Sequence, residues 1–159
     1  MVSFQNSILI NRPLDEVFAL LSNAENETRW RSGEVAVKQT SNGPIGIDST
    51  WTSVAQILGQ RIENQMAFTE YEANWKYTVR SQSGPYPYEN QVTFERVADF
   101  TMVCMRAEVE AGPFFKMGEP LLTSIVKRQT QDDLANLKNM MEANAFSAPG
   151  RGPSPSGRL

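Results

Sequence analysis

Residues 4–18 read Phe4-Gln5-Asn6-Ser7-Ile8-Leu9-Ile10-Asn11-Arg12-Pro13-Leu14-Asp15-Glu16-Val17-Phe18, and the period of their apolar residues changes part-way. Val2, Phe4, Ile8 and Ile10 fall on one parity, with Ser3, Gln5 and Ser7 on the other, which is the period of a half-buried strand. Beyond Arg12 the spacing becomes helical, with Leu14, Val17, Phe18 and Leu21 on one face up to about Asn23. Pro13 sits at the switch: its fixed φ suits a first helical turn, and Asp15 and Glu16 complement the helix dipole there. A second short helix is expected over residues 25–31, carrying Trp30.

Outward from this opening, the next hundred residues alternate like an antiparallel meander. Strands are predicted at 34–40, 49–57, 61–71, 75–82, 88–97 and 100–110. Turn residues separate them: Asn42-Gly43-Pro44, Gly59-Gln60, Glu72-Ala73-Asn74, Ser83-Gly84-Pro85 and Ala98-Asp99. Ile62, Met66 and Phe68 share a face, as do Trp75, Tyr77 and Val79, and Val92 with Phe94, so one sheet face is apolar and the other wet. In strand 100–110 the parity stays open, because Phe100, Met102 and Cys104 oppose Val103, Met105, Ala107 and Val109. A long helix is predicted from about Pro120 to Glu142, with a stripe running from Leu121 to Met141 that is interrupted by Gln129, Thr130 and Asp133. A helix lying over a cavity would present such a polar gap to ligand or water. Residues 147–159 are rich in Pro, Gly and Ser, and are read as a disordered tail after a single domain spanning 1–146.

Composition narrows the chemistry. The 159 residues include no histidine and one cysteine, and carry a formal charge of −3. Histidine-based hydrolase triads, His-ligated metals and an imidazole proton shuttle are therefore excluded. Cys104 has no partner for an internal disulfide and no CxxC is present, which fits a reducing compartment, so the expected location is the cytoplasm. The acidic balance argues against nucleic acid as a partner, and no apolar run is long enough for an integral membrane span. No phosphate-binding loop is found, and neither a metal nor another cofactor is expected. The sequence leaves the oligomeric state open.

Both ends of the chain resemble the SRPBCC superfamily, which includes START domains, polyketide cyclase/dehydrases and ligand binders of the birch-pollen-allergen type. The opening run quoted above is similar to the family's strand, Arg-Pro step and helix beginning near Glu-Val-Phe, and Trp30 stands where its following Trp is expected. Asp132-Asp133-Leu134-Ala135-Asn136-Leu137-Lys138 is similar to its closing helix. Gly46-Ile47-Asp48-Ser49-Thr50-Trp51 resembles the start of its third strand, although the family more often has Gly at the position of Asp48. The resemblance covers residues 2–145 and implies an α+β helix-grip fold. In that fold a curved antiparallel sheet of about seven strands wraps a long C-terminal helix, two short helices follow the first strand, and a cavity lies between sheet and helix.

Such a cavity is a small-molecule site when mostly apolar with a few polar groups. The expected lining from the sheet is Trp51, Met66, Phe68, Trp75, Tyr77, Val92, Phe94 and Met105, and from the helix Leu122, Ile125 and Val126. Asn64 and Glu70 share parity with Ile62, Met66 and Phe68, and Asn90 and Arg96 share it with Val92 and Phe94, so these polar groups are also expected to face inward. Glu70, Tyr77 and Arg96 are the candidate catalytic groups, and an entrance is expected near loops 83–87 and 112–118. Two functional classes follow: a binder or carrier of a hydrophobic lipid, isoprenoid or polyketide-like molecule, and a cyclase/dehydrase-type enzyme in which pocket groups move protons. The binder is favoured because no pair of chemically obligatory residues appears. A protein-interaction module using the same groove is a third possibility.

Overall fold

A computed structural model describes residues 1–110 and 118–146. The first strand, β1 (Val2–Ile10), is followed by α1 (Leu14–Ser22), a 3-10 turn (Ala24–Asn26) and α2 (Glu27–Trp30). Six strands then run in succession: β2 (Glu34–Gln39), β3 (Thr50–Ile57), β4 (Gln60–Glu72), β5 (Lys76–Ser83), β6 (Tyr88–Val97) and β7 (Phe100–Val109). The chain closes on α3 (Glu119–Glu142). The strand order is β1-β7-β6-β5-β4-β3-β2, antiparallel at every pairing, and the helices pack on one face of this curled seven-stranded sheet. The expected helix-grip architecture is thus present. The expected tail at 147–159 and the loop residues 112–117 lie outside the described residues.

Hairpins without crossovers produce this order, and their tight turns are visible in the backbone. Leu58 and Gly59 join β3 to β4 with φ of 50° and 79°, and Ala98 joins β6 to β7 with φ of 54°. Two-residue hairpin loops use left-handed backbone because it matches the twist of the strands. Asp48 has φ 69°, a conformation that glycine adopts without cost.

The parity of β7 is settled by burial. Thr101, Val103, Met105 and Ala107 face inward, each at most 2% exposed, while Phe100, Met102 and Cys104 face out. The inner face of β1 contains one polar residue, Asn6, whose Nδ2 donates to the Lys127 carbonyl oxygen of α3 at 3.2 Å. Farther along, Lys138 Nζ donates to the Leu9 carbonyl oxygen at 2.7 Å, and Glu142 accepts from the Asn11 N–H at 2.7 Å. These contacts fasten α3 across the edge strand. Asn136 Nδ2 donates to the Trp30 carbonyl oxygen at 3.2 Å and so ties α3 to α2.

One end of the space between sheet and helices is filled by aromatic rings. Phe18 of α1 meets Phe94 at 4.9 Å and Tyr71 at 5.5 Å between ring centroids. Phe68 meets Trp51 at 4.8 Å and both Tyr71 and Tyr77 at 5.2 Å. Edge-to-face pairs of this kind add about 0.5–1.5 kcal/mol each beyond area burial. The other end is not filled.

Candidate ligand cavity

The unfilled end is a cavity of about 180 Å³ between the inner sheet face, α2 and α3. Its apolar wall includes Phe4, Trp51, Ala55, Ile62, Met66 and Phe68 from the sheet, and Leu122 and Val126 from α3. The polar residues that interrupt the stripe of α3, Gln129, Thr130 and Asp133, also lie on the wall. Amphipathicity positions all of these: strand alternation turns every second side chain inward, and helical spacing brings positions 122, 126, 129, 130 and 133 to one face.

A polar patch covers the wall where α2 meets β2. Arg31 Nη1 lies 2.8 Å from Glu27 Oε2, an i,i+4 pair whose side chains are only 20% and 18% exposed. Burial by itself disfavours the Arg31 cation, but the charges of Glu27, Tyr88 and Glu34 outweigh it and hold the guanidinium well above its ordinary pKa. Burial pushes the Glu34 carboxyl up to about 7; repulsion from Glu27 adds to this, while Arg31 and a hydrogen bond from Ser53 oppose it. That bond, Ser53 Oγ to Glu34 Oε1, is 2.6 Å. Asp133, buried on α3, accepts from both the backbone N–H and the hydroxyl of Ser32, at 3.1 and 2.9 Å. Burial also raises the phenols of Tyr77 and Tyr88.

Asn64 and Asn90 line the cavity, and the amide oxygen of each is fully buried without a hydrogen-bond partner among the described residues. Asn90 is 4% exposed. Asn64 packs against Gly84, where a Cβ would fall 1.8 Å from Asn64 Oδ1, so the bare glycine makes room for the amide. Leaving a buried acceptor unpaired costs about 1–3 kcal/mol.

The structure brings together on the wall Trp51, Asn64, Met66, Phe68, Tyr77, Leu122 and Val126. Val92, Phe94 and Met105 are inward but lie in the packed core rather than on the cavity, and half-buried Ile125 is also off its wall. Three expected orientations are corrected. A β-bulge between Phe68 and Glu70 reverses the alternation, so Tyr71 turns inward and Glu70 outward, where it pairs with Lys76 at 3.0 Å. Trp75 belongs to the turn before β5; it is 53% exposed, with Lys76 Nζ 4.5 Å from its ring centroid. Arg96, at the end of β6, is exposed and bonds the Ala98 carbonyl oxygen. Of the three candidate catalytic groups only Tyr77 reaches the cavity, and its hydroxyl donates to the Leu21 carbonyl oxygen at 3.3 Å.

Sequence reasoning missed Glu27, Arg31, Glu34, Ser53 and Tyr88. The i,i+4 spacing of Glu27 and Arg31 was available in the sequence, but on a short helix it resembles an ordinary surface pair.

The model of the family described as "Polyketide cyclase / dehydrase and lipid transport" matches residues 1–142. The chain belongs to this family. Solved structures share the fold at low sequence identity. A protein from Thermus thermophilus is 16% identical with a TM-score of 0.77, the match covering 92% of this chain and 99% of that one. A START superfamily protein from Mycobacterium smegmatis is 15% identical with a TM-score of 0.67, covering 91% and 97%. The di-domain ARO/CYC StfQ from the steffimycin biosynthetic pathway is 12% identical with a TM-score of 0.73; the match covers 91% of this chain and 52% of StfQ. No curated protein matches the sequence. Among the described residues no helix is long and apolar enough to cross a membrane, and no group of three or more acidic or cysteine side chains could hold a metal ion.

Proposed function

We propose that this family member binds a hydrophobic small molecule in the cavity between the sheet and α3. The observation that carries the reading is the cavity itself: protein interiors are otherwise close-packed, and here about 180 Å³ is left open under a mainly apolar wall. The polar patch at one end would orient a ligand that is otherwise held by apolar contact. The free Cys104 and the unpaired thiol chemistry it implies support a reducing, cytoplasmic setting. Native mass spectrometry of the purified protein should detect a co-purifying small molecule. Val126→Phe, which projects a ring into the cavity, should lower its occupancy several-fold while the thermal unfolding stays cooperative. Equal occupancy in the variant would refute the site.

A second reading is favoured by Glu34. A carboxyl whose pKa lies near 7 on the wall of a mainly apolar cavity is matched to general acid–base work, as a cyclase/dehydrase would require. In this reading Glu34 takes the carboxylate role expected of Glu70, and positioning by the apolar wall supplies much of the rate. An assay with aromatic polyketide-type substrates would show a pH profile with an inflection near 7 that vanishes in Glu34→Gln.

A further inference from the structure

We propose that filling the cavity with a neutral hydrophobic ligand is coupled to the protonation of Glu34: the ligand is held while the carboxyl keeps its proton and is released as the carboxyl ionises. This rests on the ligand-binding reading above and supplies its regulation.

The geometry makes the Glu34 charge depend on what the cavity contains. Glu34 lies on the cavity wall, and Ser53 Oγ donates to its Oε1 at 2.6 Å. Its other oxygen, Oε2, accepts no hydrogen bond among the described residues, yet it is not sealed inside the protein. Arg31, the guanidinium on the same wall, is ion-paired with Glu27 at 2.8 Å, and among the described residues Glu34 belongs to no ion pair. An ionised Glu34 therefore takes the rest of its solvation from cavity water.

The groups around it do not supply a substitute. From α2, Glu27 disfavours the Glu34 charge and Arg31 favours it, with Glu27 the stronger of the two. Asp133 on α3 also disfavours the charge, and Ser53 on β3 favours it through its hydrogen bond. Burial pushes the phenols of Tyr77 on β5 and Tyr88 on β6 upward, so they stay neutral as Glu34 titrates. Glu25 in the 3-10 turn serves the far end of β2, where it accepts from the Gln39 N–H at 2.8 Å. Together with burial, these neighbours place the Glu34 carboxyl at about 7.

A hydrophobic ligand replaces cavity water with apolar surface, which penalises a carboxylate far more than a carboxylic acid. Binding therefore raises the carboxyl's pKa further, and by linkage the proton strengthens binding by the same factor. The sign follows. Affinity is constant below about pH 6, where Glu34 holds its proton with or without ligand, and falls as pH rises through about 7. It levels off once the carboxyl is ionised in the complex as well. Each unit by which binding raises the pKa weakens binding to the ionised form about ten-fold.

The test titrates ethylbenzene and naphthalene, neutral at every pH, calorimetrically into the intact protein between about pH 5.5 and about pH 8.5. A cavity of about 150 Å³ admits benzene, so rings of this size suit one of about 180 Å³. For a one-unit rise, affinity should be about five- to ten-fold weaker at about pH 8.5 than at about pH 6. Binding enthalpies in phosphate and Tris buffers at about pH 7.5 should report uptake of roughly half a proton per ligand. Glu34→Gln should flatten the pH profile and abolish the uptake. If that variant does not fold, Ser53→Ala, which removes a bond favouring the charge, should move the decline to higher pH. An affinity that is independent of pH or rises with it overturns the coupling and leaves the cavity reading standing. So does a decline that persists in Glu34→Gln or stays in place in Ser53→Ala. Failure of both probes at every pH overturns the cavity reading as well.

Discussion

Ser53 on β3 donates a 2.6 Å hydrogen bond to Glu34 on β2, holding on the cavity wall a carboxyl that burial pushes up to about 7. Because the folded pKa exceeds the ordinary value of 4.5, folding retains a proton that the unfolded chain releases. The group is neutral to stability below about pH 4.5, costs progressively more as pH rises toward 7, and costs a constant amount above that. From 4.5 to about 7, at about 1.4 kcal/mol per unit, the full cost is on the order of 3–4 kcal/mol. Glu34→Gln keeps an acceptor for Ser53 and removes the titration. Urea denaturation should therefore show the variant gaining on the parent between pH 4.5 and 8, by up to about that amount. A pH-independent difference would contradict the burial of this carboxyl.

Arg31 and Glu27 form a largely buried pair, so removing one charge strands the other. Arg31→Met should cost about 2–4 kcal/mol at neutral pH, and Glu27→Gln in the same background should return more than half of it. The double-mutant cycle in denaturant tests this. Additive losses would show that the two charges act separately. Spectrophotometric titration of the single variant should also move the Tyr88 phenol further up, since Arg31 partly offsets the rise that burial causes.

Leu58 and Ala98 occupy left-handed backbone at exposed hairpin turns, with φ of 50° and 54°. A side chain there costs about 1 kcal/mol relative to glycine or asparagine. Leu58→Gly and Ala98→Gly should each raise the melting temperature by a few degrees, and Asp48→Gly at φ 69° should behave similarly. A lowered melting temperature at all three positions would argue against the assigned turns.

Trp75 and Phe68 were indistinguishable by strand parity, yet one is 53% exposed and the other 3%. Trp75→Ser should change stability by less than about 1 kcal/mol, whereas Phe68→Ala should cost about 3–5 kcal/mol by emptying the aromatic cluster. Guanidinium unfolding of the two variants checks the contrast. Comparable losses would place Trp75 in the core.

These contrasts show which signals the sequence carries. The strands emerged from alternation within a residue or two of their observed ends, because a half-buried sheet imposes a period of two on its residues. The polar interruption of α3 pointed to the cavity for a similar reason: Gln129, Thr130 and Asp133 occupy positions that a packed core would fill with apolar side chains. Alternation stopped being reliable at the bulge after Phe68, where one extra residue sends Glu70 to the opposite face without any mark in the composition. The Arg31 cluster was hidden for another reason. Its members come from α2, β2, β3 and β6, and only the curl of the sheet gathers them.

Asn6 and Lys127 are separated by 121 positions, and β1 takes its neighbours from β7 and α3. β1 is therefore made before the elements it packs against, and its sheet partner, β7, is the last strand to follow it. Until then its apolar face remains uncovered, available to chaperones or to another chain's open edge. Non-local pairing of this kind slows folding, since distant segments must meet before their contacts repay the lost entropy. Circular permutation that fuses β1 behind α3 would present this strand last, beside partners already formed.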